Sequence, residues 1–250
     1  MSAPADFYTG LVVEAYEALK SRTFDAARYS AFVREHGQPG LEVGCGAGQP
    51  LLQLAAEGLD VDGVDSSPDM LDRARAAAHQ QGLDVGLHLA WMQDLDLGRR
   101  YRSIYLAGPT FELLPDDDAA LQALQAFRRH LTPDGMIMIP LWIAGPTPAD
   151  DLGTVREAVD ASGTILRYAA VSEDHDPITR TRRTAVRYER VPRTGPSQRV
   201  DREWLVHWQT PQTIAALAAQ AGLTVRDLDP SESHLTGAPD EEFTVLLGHA

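Results

Sequence analysis

Apolar positions recur along this chain with two alternating periods, and that alternation lays out the architecture. Leu11, Val12, Ala15, Tyr16 and Leu19 fall at helical spacing within residues 9–20, and Tyr29, Phe32 and Val33 repeat the spacing in a second helix ending at Gly37. Leu41 to Val43 reads as a short buried strand. Leu51, Leu52, Leu54 and Ala55 give a helix that stops at Gly58, and Val61 to Val64 forms a second strand closed by Asp65. Ser67-Pro68 supplies an N-cap and first helical position ahead of Met70 and Leu71. Val85 to Trp91 and Ser103 to Leu106 are the third and fourth strands. Leu121, Leu124, Phe127 and Leu131 mark a long helix, which Thr132-Pro133-Asp134-Gly135 turns into the strand Met136 to Leu141. Pro140 has no N–H to give a ladder, so that strand should end or bulge there.

Residues 142–209 break the alternation and read as an insertion. Leu152, Val155 and Val159 form one helix face, followed by strands over Thr164 to Val171, Thr179 to Val191 and Gln198 to Gln209, with a turn at Pro192 to Pro196. Trp204, Val206 and Trp208 alternate with Leu205, His207 and Gln209, and either face suits a core. The strand and helix alternation then resumes. Thr210-Pro211 caps a helix bearing Ile214, Leu217, Ala218 and Ala221, and Leu223 to Leu228 and Phe243 to Leu247 are the last strands. Pro230 to Glu241, with His234, connects them. Seven strands with helices between them make an α/β protein with a doubly wound sheet and a ligand at its switch point.

The chemistry concentrates in Leu41-Glu42-Val43-Gly44-Cys45-Gly46-Ala47-Gly48-Gln49-Pro50, where a strand runs into three glycines at alternate positions and Pro50 suits the start of a helix. Such a loop sets backbone N–H groups and a helix N-terminus beside a ligand's polar groups. A dinucleotide fingerprint needs G-x-G-x-x-G, and counting from Gly44 puts Gln49 where its last glycine belongs. Asp65, about 20 residues on, is placed to accept hydrogen bonds from both hydroxyls of a ribose, a device that nicotinamide enzymes share.

Composition narrows the partners. The formal charge of −14 over 250 residues disfavours a nucleic-acid backbone, and an arginine cluster at Arg180, Arg182 and Arg183 reads as a solvated strand face. Cys45 is the only cysteine, so no internal disulfide forms, and no cysteine and histidine spacing suits a metal; Cys45 itself reads as a small packing residue. No signal-peptide core or membrane-length apolar run is present, which points to a cytoplasmic protein.

The motif E-V-G-C-G-A-G resembles motif I of the class I S-adenosylmethionine-dependent methyltransferases, and Leu131 to Gly135 resembles the L-x-P-G-G turn of that superfamily. The resemblance spans nearly the whole chain, strongest from Leu41 to Asp94 and weakest from Pro140 to Gln209. It implies a mostly parallel seven-stranded sheet whose last strand is antiparallel, a cofactor core of residues 1–141 and 210–250 whose leading helices (1–37) lie across the cofactor mouth, and an inserted antiparallel β lid at 142–209. It further implies S-adenosylmethionine as cofactor, with contacts from Tyr16, Glu42, Gly44, Cys45, Gly46, Gly48, Asp65, Ser66, Met70, Gln93, Asp94, Leu95 and Ala107. Asp94 would hold the adenine amino group, and the Leu95 N–H would meet the ring. No N-P-P-Y-like sequence follows the fourth strand, which argues against nucleobase and protein-amide acceptors; Thr110, Phe111 and Glu112 stand where an acceptor would be touched. The expected reaction is methyl transfer to a small molecule, an aromatic or heteroaromatic natural product with indole, hydroxyl or amine as the acceptor. His234, His207, Tyr16 and Tyr8 are candidates for base or orienting group. Expected partners are a small-molecule acceptor, with no nucleic acid and no membrane, and a homodimer is left open. The alternatives are a nicotinamide-dependent oxidoreductase, disfavoured by Gln49, and a non-catalytic S-adenosylmethionine-binding protein.

Overall fold

The computed structural model describes residues 7–19, 25–160, 162–229 and 242–250. The described residues divide into two compact units, one holding those before Thr23 together with Ala144–His207, the other those of Phe24–Ile143 and Trp208–Ala250.

The larger unit is a seven-stranded sheet. Its strands are β1 (Gly40–Val43), β2 (Val61–Asp65), β3 (Leu87–Leu89), β4 (Tyr101–Tyr105), β5 (Leu131–Trp142), β10 (Leu223–Asp229) and β11 (Glu242–His249). They lie in the order β10-β11-β5-β4-β1-β2-β3. All are parallel except β11, which runs antiparallel to both neighbours, as the resemblance implied. The chain leaves β1 in one direction along the sheet and β4 in the other, so the switch point lies between the carboxyl ends of β1 and β4.

Helices cover both faces because each carries one apolar stripe. On one face α2 (Ala26–His36), α3 (Leu51–Ala56) and α4 (Pro68–Gln81) set Tyr29, Phe32, Val33, Leu51, Leu54 and Leu71 against Val61 and Tyr105. On the other, α5 (Asp117–His130) and α6 (Pro211–Gln220) set Leu124, Phe127, Ile214 and Leu217 against Ile104, Ile137 and Val245. Their ends are chemically marked. Ser67 caps α4, with Pro68 in its first turn and Gly82 left-handed at its end, and Thr210 and Thr213 form a reciprocal capping box on α6. The Asp116 carboxylate caps α5 by accepting the Ala119 N–H at 2.9 Å. Asp116→Ala should therefore cost about 1 kcal/mol and lower the melting temperature by roughly 2–4 °C, as read by thermal unfolding.

Strand β5 corrects two expectations. The turn at Thr132 to Gly135 is a bulge inside the strand, since Tyr101 pairs with Leu131 and Ser103 already with Met136. The strand also runs through Pro140 to Trp142, pairing Pro140 with Thr244. The Met138 carbonyl accepts the Leu106 N–H, so the backbone polar groups two residues on face the same side, where β4 has already ended at Tyr105. The missing N–H of Pro140 points where no strand waits for it.

The smaller unit is a four-stranded antiparallel sheet, β6 (Val155–Val159), β7 (Ile165–Asp176), β8 (Thr181–Val191) and β9 (Gln198–His207), in that order. Here the helix expected from Leu152, Val155 and Val159 is a strand. The two valines are β-branched and solvent-facing, 56% and 63% exposed, and Asp160 folds the next residues into a tight turn by accepting the Ser162 and Thr164 N–H groups at 2.8 and 2.9 Å. One face of the sheet carries Leu166, Val186 and Tyr188, on which Phe7, Leu11, Val12 and Ala15 pack. The first leading helix, α1 (Leu11–Leu19), thus joins this sheet and not the cofactor core with which the sequence grouped it. The opposite face is a ladder of ion pairs: Arg167 to Glu157, Arg187 to Asp201 and Arg183 to Glu203, at 2.8, 2.9 and 3.1 Å. Cross-strand registers place each pair on neighbouring strands.

Candidate functional site

The site is built at the carboxyl edge of β1 and β2. The Gly44 and Cys45 N–H groups both bond the Val64 carbonyl, at 2.8 and 3.0 Å, so the loop after β1 stays tied to β2 as it turns away. Gly44, Gly46 and Gly48 all have positive φ (75°, 53° and 95°), the region that disfavours side chains. A Cβ on Gly44 would run into the Thr110 side chain, so the loop after β4 closes directly on the loop after β1. At Gly46 a Cβ would meet nothing within 4 Å. The glycine loop is therefore packed on one side and open on the other. Pro50 is the cap of α3 and not its first residue.

Asp65 ties this loop to the next. One carboxylate oxygen accepts the Gly46 N–H and the other the Ser67 N–H, each at 2.8 Å, so the acid is fixed in direction. A carboxylate has about four acceptor positions, which leaves capacity for two hydroxyl donors. Burial raises the Asp65 pKa above the ordinary carboxylate range, against the backbone N–H groups of Ser67, Gly46 and Ser66 that pull it down. Met70 is buried with its N–H on Ser67 Oγ. Cys45 is also buried, its thiol held protonated by burial and then by the nearby charges of Glu42 and Asp65, which suits packing and not nucleophilic attack. Glu42 is fully buried in β1, where burial and this acid together raise the Tyr105 hydroxyl.

Beyond β3, shorter than expected, Met92–Asp94 forms a single 3-10 turn that exposes Asp94 and buries Leu95. The Gln93 side-chain oxygen is buried with no hydrogen-bond partner among the described residues. A cleft of about 620 Å³ opens beside Asp94, lined also by Arg99, Arg100 and Arg129. These arginines stand at the amino ends of β4 and β5, and no glycine of the loop lines the cleft, so it is not the site at the switch point. Ala107 is buried just past β4, and Glu112 follows on the 3-10 turn Thr110–Leu113. Glu112 is 1% exposed and accepts the Trp142 N–H at 2.5 Å, fastening this loop to the end of β5. The apolar run Phe-Glu-Leu-Leu hints at that buried acid, but not at its backbone partner.

The larger unit thus gathers Gly44, Gly46, Gly48, Asp65, Ser66 and Met70 around the ends of β1 and β2, with Asp94 and Leu95 after β3 and Ala107 after β4. The three described candidate catalytic residues, Tyr8, Tyr16 and His207, are not among them. Tyr8 and Tyr16 meet edge to face at 5.7 Å in the smaller unit, and His207, 4% exposed, ends β9 there. His234 lies outside the described residues.

This sheet order, with its one antiparallel strand, and a glycine loop answered by an acid on the next strand define the class I methyltransferase fold. Residues 41–135, the segment bearing the loop and Asp65, match the profile of a family described as "Methyltransferase domain". A dTDP-3-amino-3,6-dideoxy-alpha-D-glucopyranose N,N-dimethyltransferase of Streptomyces fradiae is 31% identical over 149 residues, 56% of this chain and 57% of that protein. The chain thus spans about half the length of the curated relatives it matches. Among solved structures, the sugar N-methyltransferase KedS8 of Streptoalloteichus is similar with a TM-score of 0.75 at 23% identity, covering 97% of this chain and 94% of that one. The CcbJ methyltransferase of Streptomyces caelestis follows at 0.73 and 22%, covering 96% of each. No helix among the described residues is long and apolar enough to cross a membrane.

Proposed function

We propose that this protein is an S-adenosylmethionine-dependent methyltransferase whose acceptor is the amino group of a small sugar. The observation that carries the cofactor is Asp65, a carboxylate held by Gly46 and Ser67 at the edge of an open glycine loop with acceptor capacity left for a ribose. Gly44, Gly46 and Gly48 would line the amino-acid end of the cofactor, Ser66 and Met70 would border the ribose and adenine, and Asp94 and Leu95 would meet the adenine edge. Glu42, Cys45, Gln93 and Ala107 would complete the surround. The acceptor reading is favoured by two of the relatives, one named for a dTDP-linked amino sugar and one a sugar N-methyltransferase. The aromatic or indole acceptor expected from sequence has no support among them.

When bound, S-adenosylmethionine supplies an electrophilic methyl on a sulfonium, and the displacement needs nucleophile, carbon and sulfur in line. What the chain supplies is position and exclusion of water. An aliphatic amine carries a proton near neutral pH and must lose it before attack. The group that takes it is sought among His234, His207, Tyr16 and Tyr8, and a positioned base adds typically about 10²- to 10⁴-fold.

Calorimetry with S-adenosylhomocysteine and NADH tests the cofactor, and label transfer from S-adenosylmethionine to an amino sugar, a phenol and an indole tests the acceptor. Binding of S-adenosylhomocysteine alone, with label on the amino sugar, is the expected outcome. Tighter binding of NADH overturns the cofactor, and label on the indole or phenol alone overturns the acceptor.

A further inference from the structure

We propose that His130, the last residue of α5, is a positioning residue for the adenine of the cofactor: it fixes the turn that carries Asp94 and Leu95 without meeting the ligand itself. This role rests on the reading above that those two residues lie against the adenine edge.

Residues 92–97 have few other holds. The strand before them is three residues long with none of them buried, and the 3-10 turn closes on itself through the Asp94 N–H and the Trp91 carbonyl at 3.0 Å. Leu95 is buried, and Met92 and Leu97 pack against the same core, which includes Ala123, Ala126 and Phe127 of α5. Apolar contact sets depth but has no direction. Gln93, Asp94 and Asp96 border the cleft of about 620 Å³, so protein does not enclose the turn. Among the described residues, one hydrogen bond joins residues 92–97 to another element: the Leu97 N–H donates to His130 Nε2 at 3.1 Å.

The ring can make that bond in one form only. A backbone N–H donates, so Nε2 must offer its lone pair, and the proton then sits on Nδ1, where the Ala126 carbonyl accepts it at 2.8 Å. The residue is 6% exposed and both ring nitrogens are used, so the imidazole is held by its own helix with no donor or acceptor left for a ligand. Recognition of a base edge needs its partners within about 0.5 Å of the productive geometry. The direction in which Leu97 leaves the turn therefore decides whether the Asp94 carboxylate reaches an amino group and the Leu95 N–H a ring nitrogen. Losing this bond should cost discrimination between bases more than the hold on the ribose and amino-acid parts, which belongs to the loops after β1 and β2.

S-adenosylhomocysteine and S-inosylhomocysteine, which has an oxygen in place of the adenine amino group, are compared by calorimetry. The parent should prefer the adenosyl compound by about 10-fold or more. His130→Asn sets its amide at the Nδ1 position, out of reach of Leu97, and should reduce the preference to about 2-fold or less. His130→Gln sets an acceptor at the Nε2 position and should keep the parental preference. Nitrogen-15 NMR of the parent, which needs no variant, should show the Nδ1–H tautomer. A histidine that only supports the fold would lower the melting temperature and weaken both ligands alike, leaving the ratio parental in His130→Asn, and that result overturns the role. So does a lost preference in His130→Gln, or an Nε2–H tautomer in the parent. A parent that binds both compounds equally would remove the adenine reading and this role with it, while a parent that binds neither would remove the methyltransferase reading itself.

Discussion

Replacing Asp65 with alanine is expected to weaken S-adenosylhomocysteine binding by roughly 100-fold or more, because two charge-assisted hydrogen bonds to a ribose are each worth about 1.5–3 kcal/mol. The geometry adds a second loss. The carboxylate also accepts the Gly46 and Ser67 N–H groups, so the variant releases the loop that should lie against the cofactor. Asp65→Asn keeps one acceptor oxygen and should fall between alanine and the parent. Calorimetric affinity equal to the parent's in Asp65→Ala would show that the acid faces no ligand.

The pH dependence of that affinity has a definite sign. Burial raises the Asp65 pKa, and ribose hydroxyls bond best to its ionised form. Affinity should be full at pH values well above the raised pKa and fall as the pH drops through it, at a higher pH than an ordinary carboxylate would give. Stability of the ligand-free protein runs the other way. A pKa raised on folding means that the native state holds this proton more tightly, so the contribution is present below the unfolded value and is lost as the pH rises through the folded one. Asp65→Asn should flatten both curves in this range.

Gly44→Val should be the most damaging change to the fold at the glycine loop. A valine at φ 75° is strained by about 1–3 kcal/mol, and its Cβ overlaps Thr110, whose β-branched side chain has little room to turn aside. Overpacking adds a similar cost, so the melting temperature should fall by on the order of 10 °C. Gly46→Val has the same kind of backbone strain at φ 53° but no neighbour within 4 Å, and should lose less stability while losing cofactor affinity. Equal melting temperatures for the two variants would mean that contact with Thr110 is not what requires glycine at 44.

The parts legible in the sequence were those fixed by local chemistry. The glycines, the acid closing β2, Ser67 and Thr210 as caps and the alternation of elements all depend on neighbours within a few residues, and each stands where it was read. What escaped depends on distant partners. Val155 and Val159 fit a helical spacing as well as a strand, and pairing with β7 decides between them. Pro140 is tolerated only because β4 ends first. Of the candidate site, the residues proposed for the cofactor carry a local motif, whereas Tyr8, Tyr16 and His207 carry no spacing that reveals which unit they join.

The attachment of α1 to the antiparallel sheet has a consequence for how the chain is made. Its nine residues are too few to hold a helix by themselves in water, and the strands they pack against are synthesised roughly 150 residues later. Leu11, Val12 and Ala15 therefore leave the ribosome as unburied apolar surface and stay so until β7 and β8 have paired. Assembly of this unit is governed by a long loop closure, and until it is complete that apolar surface leaves the nascent chain open to aggregation.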